Sequence, residues 1–282
     1  MDELFNQFLE EKRYLNGVSK KTLVWYTYSY RHYQKHCTGL PTKQSLNQFV
    51  MEMRKSGLSE AGINDYIRGF NVFLTWLFEN EYTPTHLKVK KIKEEQTIIE
   101  TFTDKQLEAI IDFKPKNDFE LRLYTLLLAA IDTGCRIEEL LTLTRDNVDL
   151  DSLVIKATGK GKKERIVPIS IELKKAFFKL LRRHKSDLVF CTHKGNPLGY
   201  RNMLRDFKLL GEKLGIKGVR VSFHTLRHTF AVNYVRQGGN VLYLQKAMGH
   251  TDLSMTKRYV NLQTEDLKKM HLQTSQLARL KS

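Results

Sequence analysis

The sequence predicts a mainly α-helical protein with one small β-sheet, divided into an N-terminal helical bundle and a mixed α/β domain. Three observations support this prediction. Apolar residues recur at helical spacing through the first 80 residues. A charged stretch without an apolar stripe follows at residues 88–97. Beyond it, helical patterns alternate with short strand-like runs on either side of a glycine-containing turn. A chain of 282 residues is long enough for two such domains.

The first domain, residues 1–87, is predicted to contain four short helices that pack as a bundle. Ser19 and Ser59 are the expected N-caps of the second and fourth helices, and the third helix is expected over residues 43–55. Each helix carries apolar residues on one face, which should form the core. Those residues are Leu4, Phe5, Phe8 and Leu9; Leu23, Trp25, Tyr26, Tyr30 and Tyr33; Leu46, Phe49, Val50 and Met53; and Ile63, Ile67, Phe70, Phe73, Leu74 and Leu77.

Residues 88–100 are predicted to form an interdomain linker. The segment follows Pro84, is rich in lysine, and precedes a helix start at Thr103-Asp104. Its lysines have two interpretations that the sequence leaves open: an ordinary solvated linker, or a strip of positive charge along an anionic partner.

The second domain, residues 101–282, mixes helices with a few short strands. Strand-like runs occur at residues 148–150, 153–156 and 166–169, and glycines around the basic turn before the last of these favour a β-hairpin. Helices are expected near residues 104–113, 118–132, 171–183, 200–214, 225–237, 241–248, 252–258 and 264–280.

The charge of the chain indicates an anionic polymer as partner. The formal net charge is +16 and the sequence pI is about 9.6. Basic residues outnumber acidic ones by 14 to 10 in residues 1–94 and by 33 to 21 in residues 95–282, so both parts can contact nucleic acid phosphates. We therefore expect the two domains to clamp duplex DNA. The aromatic residues of the first domain are expected in its core rather than stacked on bases.

Several classes of protein are disfavoured. The three cysteines Cys37, Cys135 and Cys191 are far apart and match neither a disulfide framework nor a metal motif. They are expected to be reduced core residues in a cytoplasmic protein. The acidic, amphipathic N-terminus does not resemble a signal peptide. No apolar run approaches the roughly 18 residues of a membrane span.

Four short motifs carry reactive side chains, and each is weak alone. The GKGKK segment at residues 159–163 lacks the spacing of a Walker phosphate loop, so a solvated turn is the simpler interpretation. His224 and His228 would share a helix face with Arg227, and a zinc site or a histidine base is conceivable. Gly249-His250 is typical of a helix C-cap. Tyr259 is one of 12 tyrosines.

Together, the motifs predict strand transfer on DNA. Two arginine side chains, Arg136 and Arg227, can hold both non-bridging oxygens of a phosphodiester. A tyrosine hydroxyl can attack the phosphorus and retain the bond as a phosphotyrosine. No carboxylate cluster for Mg²⁺ accompanies them in the sequence. The predicted chemistry therefore uses no metal and no cofactor.

In this order the motifs resemble the tyrosine recombinases of the phage integrase family, in particular the compact Xer-like or transposon-encoded members. The resemblance covers nearly the whole chain, including an N-terminal helical domain of the kind that the family uses to clasp DNA. The matching segments are TGCRIEEL at residues 133–140, GKGKKER at 159–165, HTLRHTFA at 224–231, and MGH at 248–250 followed by RYV at 258–260.

The resemblance implies a role for each of six catalytic residues. Arg136 and Arg227 would hold the scissile phosphate, and His250 would donate a hydrogen bond to it. His224 would act as base or donor near the tyrosine. Lys160 would protonate the 5′ leaving oxygen, with Lys162 and Lys163 as rivals. Tyr259 would be the nucleophile and leave a 3′-phosphotyrosine. Glu139 would support the local geometry, and His228 is expected to pack or to hydrogen-bond within its helix.

The implied function is site-specific recombination: integration, excision or resolution of a mobile element or replicon dimer. The implied partner is duplex DNA with inverted-repeat sites, bound by a homotetramer whose free chains are monomeric or weakly associated, with no role for a membrane. The segment after Tyr259 would dock on a neighbouring protomer or, alternatively, on its own domain. Two other functions stay open: DNA relaxation like that of type IB topoisomerases, and DNA-binding regulation without catalysis.

Overall fold

The structure is a computed structural model that describes residues 1–94, 100–159 and 163–249. The chain forms two compact units that divide between Thr97 and Ile98. Within the described residues, the first unit is helical and the second combines helices with a three-stranded sheet. The predicted fold class is thereby confirmed. No helix in the described part of the chain is long and apolar enough to cross a bilayer.

Four helices build the first unit, as the apolar stripes predict. Ser19 accepts a hydrogen bond from the Thr22 amide, and Ser59 accepts one from the Gly62 amide, so both predicted N-caps are confirmed. A capping box between Thr42 and Ser45 begins the third helix. The helices are α1 (Asp2–Tyr14), α2 (Lys20–Gln34), α3 (Lys43–Lys55) and α4 (Glu60–Glu79).

Aromatic side chains fill the centre of the first unit. The Tyr33 ring stacks on Phe70, and Phe5 stacks on Tyr30. Trp76 is buried, and the half-buried Trp25 donates its indole N–H to Asp65. These rings therefore pack in the core as predicted, because burial of aromatic area is a large stabilising contribution.

The segment after α4 packs along that helix. Asn71 exchanges two hydrogen bonds of 2.9 Å with the backbone of Val89, and Asn64 exchanges two of 2.9 Å with the backbone of Ile92. The asparagine side chains supply the partners that a neighbouring strand would otherwise give this extended backbone. Residues 88–94 thus belong to the first unit, with their lysines exposed. The linker role of residues 88–100 stays a prediction.

Besides a short 3₁₀ helix at Arg145–Asn147, the second unit holds seven α-helices within its described residues. They are α5 (Asp104–Ile111), α6 (Asp118–Thr133), α7 (Ile137–Leu141), α8 (Ile171–Leu181), α9 (Tyr200–Lys213), α10 (Phe223–Arg236) and α11 (Val241–Met248). Helix α6 is central: its Leu126 and Leu127 are fully buried in a core shared with Phe177 of α8 and Phe207 of α9. The helices predicted at 252–258 and 264–280 lie outside the described residues.

A small antiparallel sheet completes the second unit. Its strands are β1 (Val148–Asp149), β2 (Val154–Thr158) and β3 (Glu164–Pro168), in that order. β2 and β3 pair from Val154–Pro168 to Thr158–Glu164, which confirms the predicted hairpin. Alternate residues such as Ile155 and Val167 face the core.

Two helices differ from the sequence prediction, whereas the cysteines agree with it. Helix α7 was not predicted, since five residues are too few to show a helical stripe. Helix α10 begins at Phe223 rather than 225, because Ser222 caps it by accepting from the Thr225 amide. The three cysteines are buried and form no disulfide, as expected.

Candidate active site

The end of α6 places Arg136 at the start of α7. Gly134 closes α6 in the left-handed conformation, with φ of +60°. A side chain there would also overlap the Phe230 ring, so both the backbone conformation and the lack of space favour glycine. The chain then turns, and Arg136 becomes the N-cap residue of α7, with Glu139 at the third helical position. The Glu139 carboxylate accepts the Arg136 amide at 2.8 Å and fixes this turn.

The Arg136 side chain points toward the C-terminal end of α11. Its Nη1 donates to Glu139 Oε1 at 3.0 Å and to the Met248 carbonyl at 3.2 Å, and Nη2 donates to the Gly249 carbonyl at 3.3 Å. These bonds use three of the five N–H groups of a guanidinium. With 39% of the side chain exposed, the group can still reach an anion from solvent.

Arg227 reaches the same place from α10. It is buried, with 4% exposure, and donates to the Gly134 carbonyl and to the Met248 carbonyl, both at 2.7 Å. Arg136 and Arg227 therefore share the Met248 carbonyl, although 91 residues separate them in the chain. The carbonyls at a helix C-terminus carry partial negative charge, which favours two cations there.

His224 and His228 lie one turn apart at the start of α10. Their rings meet edge to face, with centroids 4.2 Å apart. His224 is exposed and His228 is half-buried. Both lie on α10, the helix that also carries Arg227. In the described ranges 1–94, 100–159 and 163–249, no three His, Cys, Asp or Glu side chains are grouped to hold a metal ion. Within those ranges, no third ligand accompanies His224 and His228 to form the zinc site considered as an alternative.

The β2–β3 hairpin approaches the same region. The Gly159 amide donates to the Lys163 carbonyl at 2.8 Å and closes the hairpin beyond the last strand pair. Lys163 is exposed, whereas Lys160 and Lys162 lie outside the described residues. An ideal Cβ on Gly159 would lie 3.4 Å from Glu139 Oε1, so the base of the hairpin is next to the carboxylate that holds Arg136.

Helix α11 leads directly to the Gly249-His250 pair. Asn240 caps its start by accepting from the Leu242 amide, and Leu244 and Met248 anchor it in the core. Gly249 ends it with φ of +61°, so the C-cap expected at this glycine is present. His250 and Tyr259 lie outside the described residues.

Arg165 links these elements, and sequence reasoning missed it. It lies on β3 with 14% of its side chain exposed and donates from Nη1 and Nη2 to the two oxygens of Glu139, at 2.9 and 2.8 Å. Its Nε donates to the Ala247 carbonyl at 2.7 Å. One signal was available: Arg165 alternates with Val167 on the inward side of β3, where an arginine needs a counter-ion.

Charge pairing shifts the pKa values of this pair in opposite directions. Burial alone would raise the pKa of Glu139, but hydrogen bonds and charge from Arg165, together with bonds from Arg136, hold it below its usual value. Burial alone would lower the pKa of Arg165, but the hydrogen bonds and charge of Glu139 raise it above its usual value. Both groups therefore stay ionised. Burial also raises the pKa of the Cys135 thiol nearby, which keeps it protonated.

An open cleft of about 1420 Å³ borders this cluster. It is lined by Arg136 and Glu139 from α7, Lys163 from the hairpin, and Lys246 and Gly249 from α11. Cationic groups from three separate elements thus converge beside an accessible space.

A family model described as the phage integrase family matches residues 100–266, which is more than half of the chain. The chain belongs to the phage integrase family. The match includes the segments that contain Arg136, Arg227 and Tyr259 and confirms the resemblance predicted from the sequence.

Relatives of this phage integrase family member are similar over almost their whole length. Tyrosine recombinase XerD of Vibrio vulnificus (strain YJ016) is 29% identical over 285 residues, covering 95% of this chain and 93% of that protein. Tyrosine recombinase XerA of Thermococcus kodakarensis is 29% identical over 274 residues, covering 94% of each.

Solved structures share the fold. A Tn1549 transposon integrase in complex with transposon right-end DNA superposes with a TM-score of 0.79, at 18% identity, covering 99% of both chains. The XerH site-specific recombinase bound to a palindromic difH substrate has a TM-score of 0.77, at 18% identity, covering 95% of this chain and 83% of that one. These likenesses establish the architecture of this family member.

Replacing Glu139 tests the ionised network. Glu139→Gln should lower the free energy of unfolding of the second unit by about 3 kcal/mol at pH 7, because it leaves the Arg165 charge without its buried partner. The folded pKa of Glu139 is depressed, so its contribution is fully present above the unfolded value of about 4.3. It is lost as the pH falls through the lower folded value, and the gap between wild type and variant should narrow there.

Urea unfolding at pH 7 and at lower pH measures this difference. Trp25 and Trp76 are the only tryptophans and lie in the first unit, so fluorescence identifies that unit's transition while circular dichroism follows both. Glu164→Gln is the control: its exposed carboxylate lies 3.8 Å from Lys156, and a change within about 1 kcal/mol is expected. Equal effects of the two substitutions would contradict the prediction.

Proposed function

We propose that this chain is a site-specific DNA recombinase that cuts and rejoins strands through a tyrosine nucleophile, Tyr259. The observation that carries the proposal is the convergence of Arg136 and Arg227 on the Met248 carbonyl, at the helix end that directly precedes Gly249-His250. Two guanidinium groups held this close can neutralise one phosphodiester.

The two arginines would act on the charge that develops during attack. A pentacoordinate phosphorus carries its negative charge on the equatorial oxygens, and preorganised donors there lower the barrier. Arg227 suits this role because it is buried and fixed by two carbonyls before DNA arrives. Arg136 is more exposed, so it can meet the phosphate from the cleft side. His250 would add a hydrogen bond to the same phosphate.

Tyr259 would attack phosphorus and displace the 5′-oxygen. The Tyr259 oxygen forms the new bond to phosphorus, the bond to the 5′-oxygen breaks, and Lys160 donates a proton to the leaving oxygen. His224 would accept the phenolic proton. Free tyrosine has a pKa of about 10, so cationic neighbours must favour its deprotonation. Religation is the reverse, with a 5′-hydroxyl as nucleophile.

This chemistry would require neither a metal nor a nucleotide. The phosphotyrosine retains the energy of the phosphodiester, so no second energy source is needed for rejoining. Duplex DNA with inverted repeats is the proposed substrate, bound by four copies of the chain in the cytoplasm. XerH, which shares the fold, was solved on a palindromic difH substrate.

Trapping the covalent intermediate tests the proposal. Duplexes that the protein binds are first selected from a random pool, and the cleavage point is mapped. A nick placed just 3′ of that point lets the 5′-hydroxyl fragment diffuse away, so the adduct accumulates. A DNA–protein adduct that survives denaturing electrophoresis is expected. Binding without any adduct would instead indicate a regulator without catalysis.

A second assay separates recombination from relaxation. Two labelled duplexes of different length, each with the selected site, should yield exchanged products in the presence of the protein. Relaxation of a supercoiled plasmid without any exchange would favour the type IB topoisomerase alternative.

Lys160→Ala should slow cleavage of a normal phosphodiester by about 10²- to 10⁴-fold, because the 5′-oxygen then leaves without a proton. A substrate with sulfur at the 5′-bridging position should restore the rate, since a thiolate leaves unprotonated. An ammonium suits the role better than a guanidinium, whose pKa exceeds about 12. Single-turnover cleavage of both substrates is the measurement.

Lys162→Ala and Lys163→Ala are the matched controls on the same hairpin. They are expected to weaken DNA binding without selective rescue by sulfur. If one of them is rescued and Lys160→Ala stays equally slow on both substrates, that neighbour is the acid.

A further inference from the structure

Arg165 belongs to a closed ring of hydrogen bonds at the site. Its guanidinium holds both oxygens of Glu139 and the Ala247 carbonyl. Glu139 in turn holds Arg136, and Arg136 returns to the Met248 and Gly249 carbonyls, one and two residues beyond Ala247. The ring thus ties β3, α7 and the end of α11 to one another.

The ring constrains Arg136 from both ends. One carboxylate serves two arginines: Oε1 accepts from Arg136 and Arg165, and Oε2 accepts from the Arg136 amide and Arg165. A bidentate arginine–carboxylate pair has a defined plane, so Arg165 fixes the orientation in which Glu139 meets Arg136. Lysine, a single point charge, cannot impose that plane.

Gly249 shows how closely the guanidinium is fitted. An ideal Cβ at that glycine would lie 3.2 to 3.3 Å from Nη1, Cζ and Nε of Arg165. The backbone before His250 therefore rests on the face of the Arg165 guanidinium. A shift of Arg165 by a few tenths of an ångström would therefore displace both Arg136 and this backbone.

We propose that Arg165 is a positioning residue for strand transfer: through Glu139 it orients Arg136 on the scissile phosphate. This inference rests on the proposed function. It predicts that Arg165 helps to stabilise the negative charge of the phosphate without touching the phosphate, because it acts through Glu139 and Arg136. A purely structural arginine would instead affect all substrates alike.

A charge-neutral substrate separates the two roles. Replacing one non-bridging oxygen of the scissile phosphate by methyl removes the negative charge that Arg136 must meet. In single-turnover cleavage at saturating protein, Arg165→Lys should lose about 10- to 100-fold on the phosphodiester, by analogy with the loss seen when a residue that orients a metal ligand is replaced. On the methylphosphonate the loss should shrink to within about threefold, because less charge requires stabilisation.

Arg145→Lys is the matched control. Arg145 is likewise half-buried and donates to backbone carbonyls, at 2.7 Å to Leu181 and 2.7 Å to Ser186, but these lie at the end of α8 and in the loop after it. Any loss it causes should be equal on the two substrates. Equal losses for Arg165→Lys, or no loss at all, would overturn the inference.

A second variant covers the case in which Arg165→Lys does not fold. Gly249→Ala keeps every charge, and its methyl group would displace the Arg165 guanidinium by a few tenths of an ångström. It should show the same selective loss on the phosphodiester, and an equal loss on both substrates would count against the inference. Wild-type protein that forms no adduct would refute the proposed function itself, which is a different result.

Discussion

Tyr259→Phe is expected to bind the selected DNA as tightly as the wild-type chain and to form no covalent adduct. Only one hydroxyl is lost, so the DNA contacts are kept. Removing the nucleophile of a cooperating set lowers turnover by about 10⁴-fold or more. Electrophoretic mobility shift measures the binding, and denaturing electrophoresis of the nicked duplex measures the adduct.

Other tyrosines provide the controls. Tyr234 and Tyr243 line the cleft beside Arg136, so they are the described rivals for the nucleophile. Tyr234→Phe and Tyr243→Phe should retain adduct formation. If Tyr259→Phe still forms the adduct and either Tyr234→Phe or Tyr243→Phe does not, the tyrosine replaced in that second variant is the nucleophile.

Helix positions in this chain follow from local physics. The third helix runs over 43–55 as predicted, because its stripe of Leu46, Phe49 and Met53 is unbroken and Thr42 caps its start. The hairpin could be predicted equally well, since residues that alternate between the two faces flank a glycine turn. Signals of this kind lie within a few residues of each other, so the sequence displays them directly.

The site depends instead on contacts between distant parts of the chain. Arg136 meets Met248 across 112 residues, and Arg165 meets Ala247 across 82. The acceptors are backbone carbonyls, which every residue has, so no side-chain motif marks them. Glu139 was recognised as a support only through resemblance, and its partner Arg165 was not assigned any role. Packing of α11 against β3 and of α7 against the neighbouring strand β2 decides these pairs.

Half of the predicted catalytic set lies in the described part of the chain. Arg136 and Arg227 donate to one carbonyl, so the structure brings these two together. His224 lies on the same helix as Arg227. Their catalytic roles stay predictions, as do those of Lys160, His250 and Tyr259, which fall outside the described residues. The order of motifs identified the family, whereas the fold determines which side chains converge.

Arg227→Lys is expected to reduce single-turnover cleavage by about 10²- to 10³-fold, with DNA affinity nearly unchanged. Arg227 donates to the Gly134 and Met248 carbonyls, and the same guanidinium would hold a non-bridging oxygen of the phosphate. A lysine keeps the charge but cannot serve both carbonyls and the phosphate in one plane. Loss of one preorganised donor at a developing oxyanion has an effect of this size.

Arg236→Lys on the same helix is the control, because Arg236 is exposed in the last turn of α10. It should leave cleavage of bound DNA within about threefold of wild type, as expected for a surface position. The two variants are compared at saturating protein, so that any change in affinity does not enter the rate. If Arg227→Lys cleaves as fast as Arg236→Lys, the phosphate is not held by Arg227. The convergence on the Met248 carbonyl would then serve only to close α10 against α11.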